Sequence, residues 1–355
     1  MPERSDPSVG DGRDTATRPG GTGLGCGDGA DQGTALGVTC WVGHGGDALA
    51  MTLFGDGPGA MDASWGWKVL AIGGERRATA SACASRLGAA EAGSLRDVAR
   101  TAAAVHLILG RDMPGEADLD ALLEGERLVV GTAPMPATTV EAHRLGERAA
   151  RVRTVPMFRW SETCRIAQPM LEEFLADGAP SSISIRMRSA DEELGIRGVD
   201  AMLADACDLA LDVLPGVESV MAVGRSPSHA ADPRILAVVG RGADGSVLAM
   251  DLADVGGWER SIELTGPAGR LRIADDAAER WDRSGARTER LECGGARHAA
   301  MAVVESLRTL ARTRGGRIDA GRVVAQLALA DAARLSVRTG NAESPASVEE
   351  LAARP

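Results

Sequence analysis

The stretch from Leu36 to Leu53, LGVTCWVGHGGDALAMTL, constrains the fold of this chain more than any other. It opens with an apolar run, Leu36 to Val42, that reads as a strand. The segment Gly43-His44-Gly45-Gly46-Asp47-Ala48 follows, and Ala48, Leu49, Met51 and Leu53 then recur as at the start of a helix. A strand, a turn and a helix with the spacing G-x-G-x-x-A suit a phosphate. Gly43 lets the backbone turn sharply, Gly45 lets a pyrophosphate come close, and Ala48 lets helix and strand pack tightly. The free amides at the helix start, with the helix dipole behind them, favour an anion. Gly43, Gly45, Gly46 and Ala48 are therefore candidate cofactor-binding residues, and His44 can touch a phosphate from within the turn. With 45 glycines in 355 residues such a spacing also arises by chance, so its weight depends on the segments downstream.

Those segments alternate. Strands are predicted at Trp67–Ile72, Ala104–Leu109, Arg127–Val130 and Val152–Val155. Helices are predicted at Arg76–Leu87, Leu95–Ala102, Leu119–Glu124 and Thr138–Arg148. This order implies a parallel, doubly wound sheet. Residues 1–34, rich in Gly, Asp, Ser, Thr, Arg and Pro, cannot offset their ordering entropy and are expected to be a flexible tail. Beyond about residue 157 the pattern changes. A helix at Thr163–Leu175 precedes Ser181–Ser189, where Ile183, Ile185 and Met187 alternate with polar residues as in a half-buried strand. A helix at Val199–Leu214, β segments at Val217–Arg225, Ile235–Leu252 and Trp258–Ile273, a short strand at Thr288–Glu292, and closing helices at His298–Thr313 and Asp319–Ser336 complete the reading. The expected fold class is α/β. An N-terminal Rossmann domain over residues 35–156 carries a doubly wound parallel sheet. A C-terminal α+β domain over residues 157–345 carries an open, mainly antiparallel sheet.

Composition excludes several function classes. A formal net charge of -11 and a pI near 5.1 argue against a nucleic-acid or anionic-membrane surface. No apolar run reaches the roughly 18 residues that span a bilayer. The first residues carry no apolar signal core, so a cytoplasmic protein is expected. The 6 cysteines are scattered without a C-x-x-C pair, and cysteines and histidines never cluster at ligand spacing, so reduced thiols and no metal site are expected. His106 falls in a strand and His143 on a helix, where both read as structural. There is no tyrosine, and Lys68 is the sole lysine, so a mechanism needing either side chain has almost nowhere to put it.

Four stretches together resemble one family: the glycine turn, residues 119–142, the run Asp205-Ala206-Cys207-Asp208-Leu209-Ala210-Leu211-Asp212, and Ala332 to Gly340. Their order is similar to that of the glucose-fructose oxidoreductase and inositol dehydrogenase (Gfo/Idh/MocA) superfamily, over roughly residues 35–345. The resemblance implies hydride transfer between NAD or NADP and a sugar or polyol. It also implies a homo-oligomer formed through the outer face of the C-terminal sheet. In such proteins a lysine in E-K-P and a histidine in D-x-G-x-H-x-x-D handle the hydroxyl proton. Here the first motif reads Thr132-Ala133-Pro134, so Ala133 holds the lysine position. Leu209 holds the histidine position and Cys207 the glycine. Lys68 begins a strand, at the wrong end for a substrate site.

Asp205 and Asp212 keep the carboxylates of that frame. Asp205 reads either as a base whose pKa burial has raised or as a structural cap or ion-pair partner. Where an acidic residue usually ends the second strand and binds ribose hydroxyls, this chain has Gly73-Gly74 and then Glu75-Arg76-Arg77. Glu75 can substitute for the acid, whereas Arg76 and Arg77 suit a 2′-phosphate, so NAD and NADP both stay open. Arg111, after the third strand, is placed near the nicotinamide or the pyrophosphate. Arg159 is placed either facing the cleft or at the domain junction. Two functions are compatible with these residues. One is an oxidoreductase with an altered mechanism. The other is a catalytically silent homologue that binds a nucleotide or metabolite, or serves as a partner subunit.

Overall fold

The computed structural model describes residues 35–55, 60–61, 65–110, 114–133, 135–155, 162–189, 198–214, 216–225, 234–254, 257–296, 298–312 and 319–354. The expected tail, Arg111, Pro134 and Arg159 lie outside the described residues.

The first half builds the expected parallel sheet. Its strands are β1 (Leu36–Val42), β2 (Trp67–Gly74), β3 (Ala90–Ala92), β4 (Val105–Leu109), β5 (Leu128–Gly131) and β6 (Val152–Thr154). They lie in the order β3-β2-β1-β4-β5-β6, and every neighbouring pair is parallel. Helices α1 (Asp47–Phe54), α2 (Arg77–Leu87), α3 (Leu95–Arg100), α4 (Glu116–Leu122) and α5 (Thr139–Leu145) connect them. Their ends follow local chemistry. Gly88 takes the left-handed conformation that stops α2, and Thr138 caps α5 by accepting the Glu141 N–H. The helix expected to run to Arg148 ends at Leu145, where Gly146 turns left-handed and a 3-10 segment, Gly146–Arg151, leads into β6.

The second half begins with α6 (Glu162–Ala176), β7 (Ser182–Arg188) and α7 (Gly198–Val213). Strands β8 (Val217–Arg225), β9 (Ile235–Gly242), β10 (Val247–Ala253), β11 (Glu259–Gly266), β12 (Gly269–Ala274), β13 (Ala277–Trp281) and β14 (Arg287–Glu292) follow. With β7 they form an eight-stranded sheet, β14-β13-β12-β11-β7-β10-β9-β8, antiparallel except between β7 and β10. Ile183, Ile185 and Met187 face inward as the alternation predicts, against Met202, Leu203 and Ala206 of α7. The chain closes with α8 (Ala299–Arg312), α9 (Ala320–Thr339) and α10 (Pro345–Ala352).

The closing helices serve both sheets. Val303, Val304 and Leu307 of α8 join the core of the first sheet with Val38, Ile72 and Leu107. The first half of α9 does the same on the opposite side, through Val323, Val324 and Leu327 beside Leu119 and Val129. The second half, Leu329 to Ala333, belongs instead to the core of the second sheet. Polar contacts reinforce the bridge. Asp331 accepts from the Thr139 N–H at 2.8 Å and the Thr139 hydroxyl at 2.7 Å, while Arg334 donates to Asp200 of α7 at 3.0 Å.

His106 is fully buried in β4, where its Nδ1 lies 2.6 Å from Thr39 Oγ1 of β1, and its Nε2 has no partner among the described residues. Burial, with a smaller contribution from Arg127, pulls its pKa down to about 4. An unfolded chain takes up this proton near pH 6.5, whereas the folded chain resists until about pH 4. Stability attributable to His106 is therefore full above pH 6.5 and is lost as the pH falls toward 4, by roughly 3 kcal/mol in all. Chemical denaturation at a series of pH values should show His106→Gln losing less stability over this window than the parent; parallel profiles would refute the assignment.

Candidate functional site

The site is organised by three strand ends that lie side by side: β1, β4 and β5. Because β1 and β4 are neighbours whose following connections run to opposite sides, a crevice opens at their carboxyl ends. The glycine turn fills the rim of this crevice. The Gly43 N–H donates to Leu109 O at 2.7 Å, and the Gly46 N–H closes the turn on Gly43 O at 3.0 Å. The Thr132 hydroxyl, just past β5, donates to Gly110 O and accepts from the Gly110 N–H, each at 2.8 Å. The three ends are thus tied together, β1 to β4 through main-chain atoms and β5 to β4 through the Thr132 hydroxyl, and the first amides of α1, which lack partners four residues back, face the same end of the sheet.

The glycines divide their work differently from the sequence expectation. Gly45, at φ 75°, is the residue that needs left-handed backbone. Gly46 gives the close approach, since a Cβ there would fall 2.3 Å from Leu109 O, while a Cβ on Gly43 would sit at an ordinary 3.6 Å. Ala48, expected to pack helix on strand, is exposed; Leu49 and Ala50 make that packing. The adjacent pair Gly45-Gly46 allows the spacing to be read in two frames, and the backbone adopts the one in which Gly46 meets β4. His44 is exposed in the turn.

At the end of the neighbouring strand, β2 stops at Gly74, and the Glu75 N–H donates to Val42 O at 2.9 Å, leaving its side chain exposed. Arg76 lies 3.4 Å from Asp47, the first residue of α1, and Arg77 lies 2.9 Å from Glu91 of β3. Asp47 stands inside the glycine turn, and the sequence reading passed over it.

Ala133 and Leu209, the positions of the expected lysine and histidine, are both buried and neither bears a titratable group. Cys207 is buried in the core, and burial pushes its thiol pKa up. Asp205, 5% exposed, borders a cavity of about 50 Å³ with Arg153, Thr154, Pro136, Asp208 and Gln326. Asp212 does not border it. Arg322 of α9 lies 2.6 Å from Asp212 and 2.8 Å from Asp208, so the lower part of α7 is held in an ion-pair cluster. Arg153, buried in the middle of β6, lines the same cavity as Asp205 and carries no sequence signal beyond its place in a strand.

Gly46→Ala should cost roughly 1–3 kcal/mol, since it forces two backbones apart, whereas Gly43→Ala should leave stability within about 0.5 kcal/mol. Denaturant midpoints of the two variants check this, and equal losses would remove the distinction.

No protein-family model matches the chain, and no curated protein matches it. Solved structures do match. An oxidoreductase from Agrobacterium radiobacter in complex with NAD+, L-tartaric acid and magnesium superposes with a TM-score of 0.68 at 15% identity, over 88% of this chain and 99% of that one. A myo-inositol dehydrogenase from Corynebacterium glutamicum gives 0.62 at 16% identity, over 87% and 98%. A myo-inositol dehydrogenase from Lactobacillus casei in complex with NAD(H) and myo-inositol gives 0.60 at 13% identity, over 87% and 97%. The chain therefore has the two-domain fold of the inositol dehydrogenases and related Gfo/Idh/MocA oxidoreductases.

Proposed function

We propose that this chain is an oxidoreductase-family protein that binds NAD or NADP on the glycine turn and takes a sugar or polyol beside it. One observation carries the reading: Gly45 and Gly46 shape a strand-to-helix turn at the crevice between β1 and β4. Such a crevice is where a doubly wound sheet takes a dinucleotide. Likeness to structures solved with NAD supports it. Gly43, His44, Gly45, Gly46 and Ala48 would hold the pyrophosphate, with Arg111 near it and Glu75 or Arg76 at the ribose. A bound nicotinamide supplies the hydride acceptor.

The chain itself must take the hydroxyl proton. Ala133 and Leu209 cannot, which leaves Asp205 as the carboxylate at the base position, with Arg159 as a substrate contact. Asp212 is the less suitable of the two carboxylates, because Arg322 holds it. The same two apolar positions favour a second reading, a silent homologue that binds a nucleotide or metabolite without turning it over.

Nicotinamide fluorescence on adding NADH or NADPH, followed by a polyol panel, separates these readings. Failure to bind either nucleotide removes the proposal. Binding without turnover leaves the silent reading; turnover that Asp205→Asn lowers by about 100-fold or more fits a general base.

Assembly through the outward face of the second sheet belongs to the same proposal. Met221, Val223 and Val239 are more than half exposed there, beside Ile235 and Val247, a contiguous apolar area on β8, β9 and β10. Light scattering on Val223→Glu/Val239→Glu should give a smaller species than the parent. A parent that is already monomeric at micromolar concentration contradicts this assembly.

A further inference from the structure

The charged groups around the end of β2 bear on which nucleotide this crevice accepts, granted the reading above that a dinucleotide lies on the glycine turn. Two cations stand there, Arg76 and Arg77, and either would greet a 2′-phosphate if free. Neither is free. Arg76 Nε lies 3.4 Å from Asp47 Oδ2. Arg77 Nε donates to Glu91 Oε1 at 2.9 Å, and this hydrogen bond is the main reason the Glu91 carboxyl titrates below its usual range. Glu75 adds a third carboxylate, exposed and anchored through its main chain to β1. Three carboxylates against two guanidiniums leave the ribose end of the crevice negative.

The Asp47–Arg76 pair is lopsided. The Arg76 side chain is 77% exposed and the Asp47 side chain 23%, and Asp47 Oδ1 is buried with no donor among the described residues. Asp47 is thus the fixed member, set by its place at the start of α1, and Arg76 is the long, mobile one. As a contribution to stability such a pair is small. Its effect on a ligand is different in kind. At separations below the Debye length, about 8 Å at physiological ionic strength, these charges still act on an incoming group, and a phosphate monoester brings about -1.5 to -2. A ribose with both hydroxyls free brings no charge and offers donors to a carboxylate.

We propose that Asp47, by neutralising Arg76, makes the crevice select NAD over NADP, with Glu75 receiving the ribose hydroxyls. Dissociation constants for NADH and NADPH, read by nicotinamide fluorescence, test this on the intact chain. Wild type should bind NADH at least about tenfold more tightly than NADPH. Asp47→Asn should tighten NADPH by about tenfold and leave NADH within about threefold. Asp47→Asn/Arg76→Gln should lose that gain, and Asp47→Glu, which keeps the charge, should keep the wild-type preference. Thermal melts matching wild type show that each variant is folded. Wild type that binds NADPH as tightly as NADH overturns the inference while sparing the dinucleotide reading, and so does an unchanged ratio in Asp47→Asn. Binding of neither nucleotide overturns both.

Discussion

The described architecture depends on one helix. Helix α9 enters the core of the first sheet with Val323, Val324 and Leu327 and leaves through the core of the second with Leu329, Ala330 and Ala333. Each set buries apolar surface in a different layer, so the helix is stabilised by both and holds them together. Its polar side chains set the join. Arg322 gathers Asp208 and Asp212, Gln326 donates to Ala204 O at 2.7 Å, and Ser336 accepts the Ala222 N–H at 2.9 Å while donating to Asn341 O at 2.6 Å. Residues that a motif search assigns to catalysis are here drawn into this structural net, Asp212 most plainly.

The crevice at the glycine turn and the surroundings of Ala133 and Leu209 have different physical character. Around the crevice, main-chain geometry does the work: the left-handed Gly45, the tight Gly46, and the Thr132 hydroxyl clasping Gly110. None of this needs a titratable group. Ala133 and Leu209, by contrast, are buried and carry no titratable group.

Much of the fold was legible in the sequence, for reasons that can be named. Gly88 and Gly340 mark helix ends because both take left-handed backbone, Asp319 caps α9, and the period-two run Ile183, Ile185, Met187 fixes which face of β7 is inside. Elements without such signals went unread. β3 is three residues of Ala-Glu-Ala, and β13 begins with two consecutive alanines rather than an alternation. α10 did carry signals, Ser344 as cap and Pro345 in the first turn, but it lies past Ser336, the expected end of the last helix. Periodicity showed that α8 and α9 bury a face and could not show against which sheet. The Asp47–Arg76 contact was equally out of reach, since it joins turns separated by a whole strand.

The double allegiance of α9 also bears on how such a protein can be divided. A cut after β6 looks natural from the order of elements, yet it strips the first sheet of Val303, Val304, Val323 and Val324, part of the packing on each of its sides. The amino-terminal half is therefore not an autonomous module. Recombination that exchanged one amino-terminal half for another would have to transplant the closing helices with it.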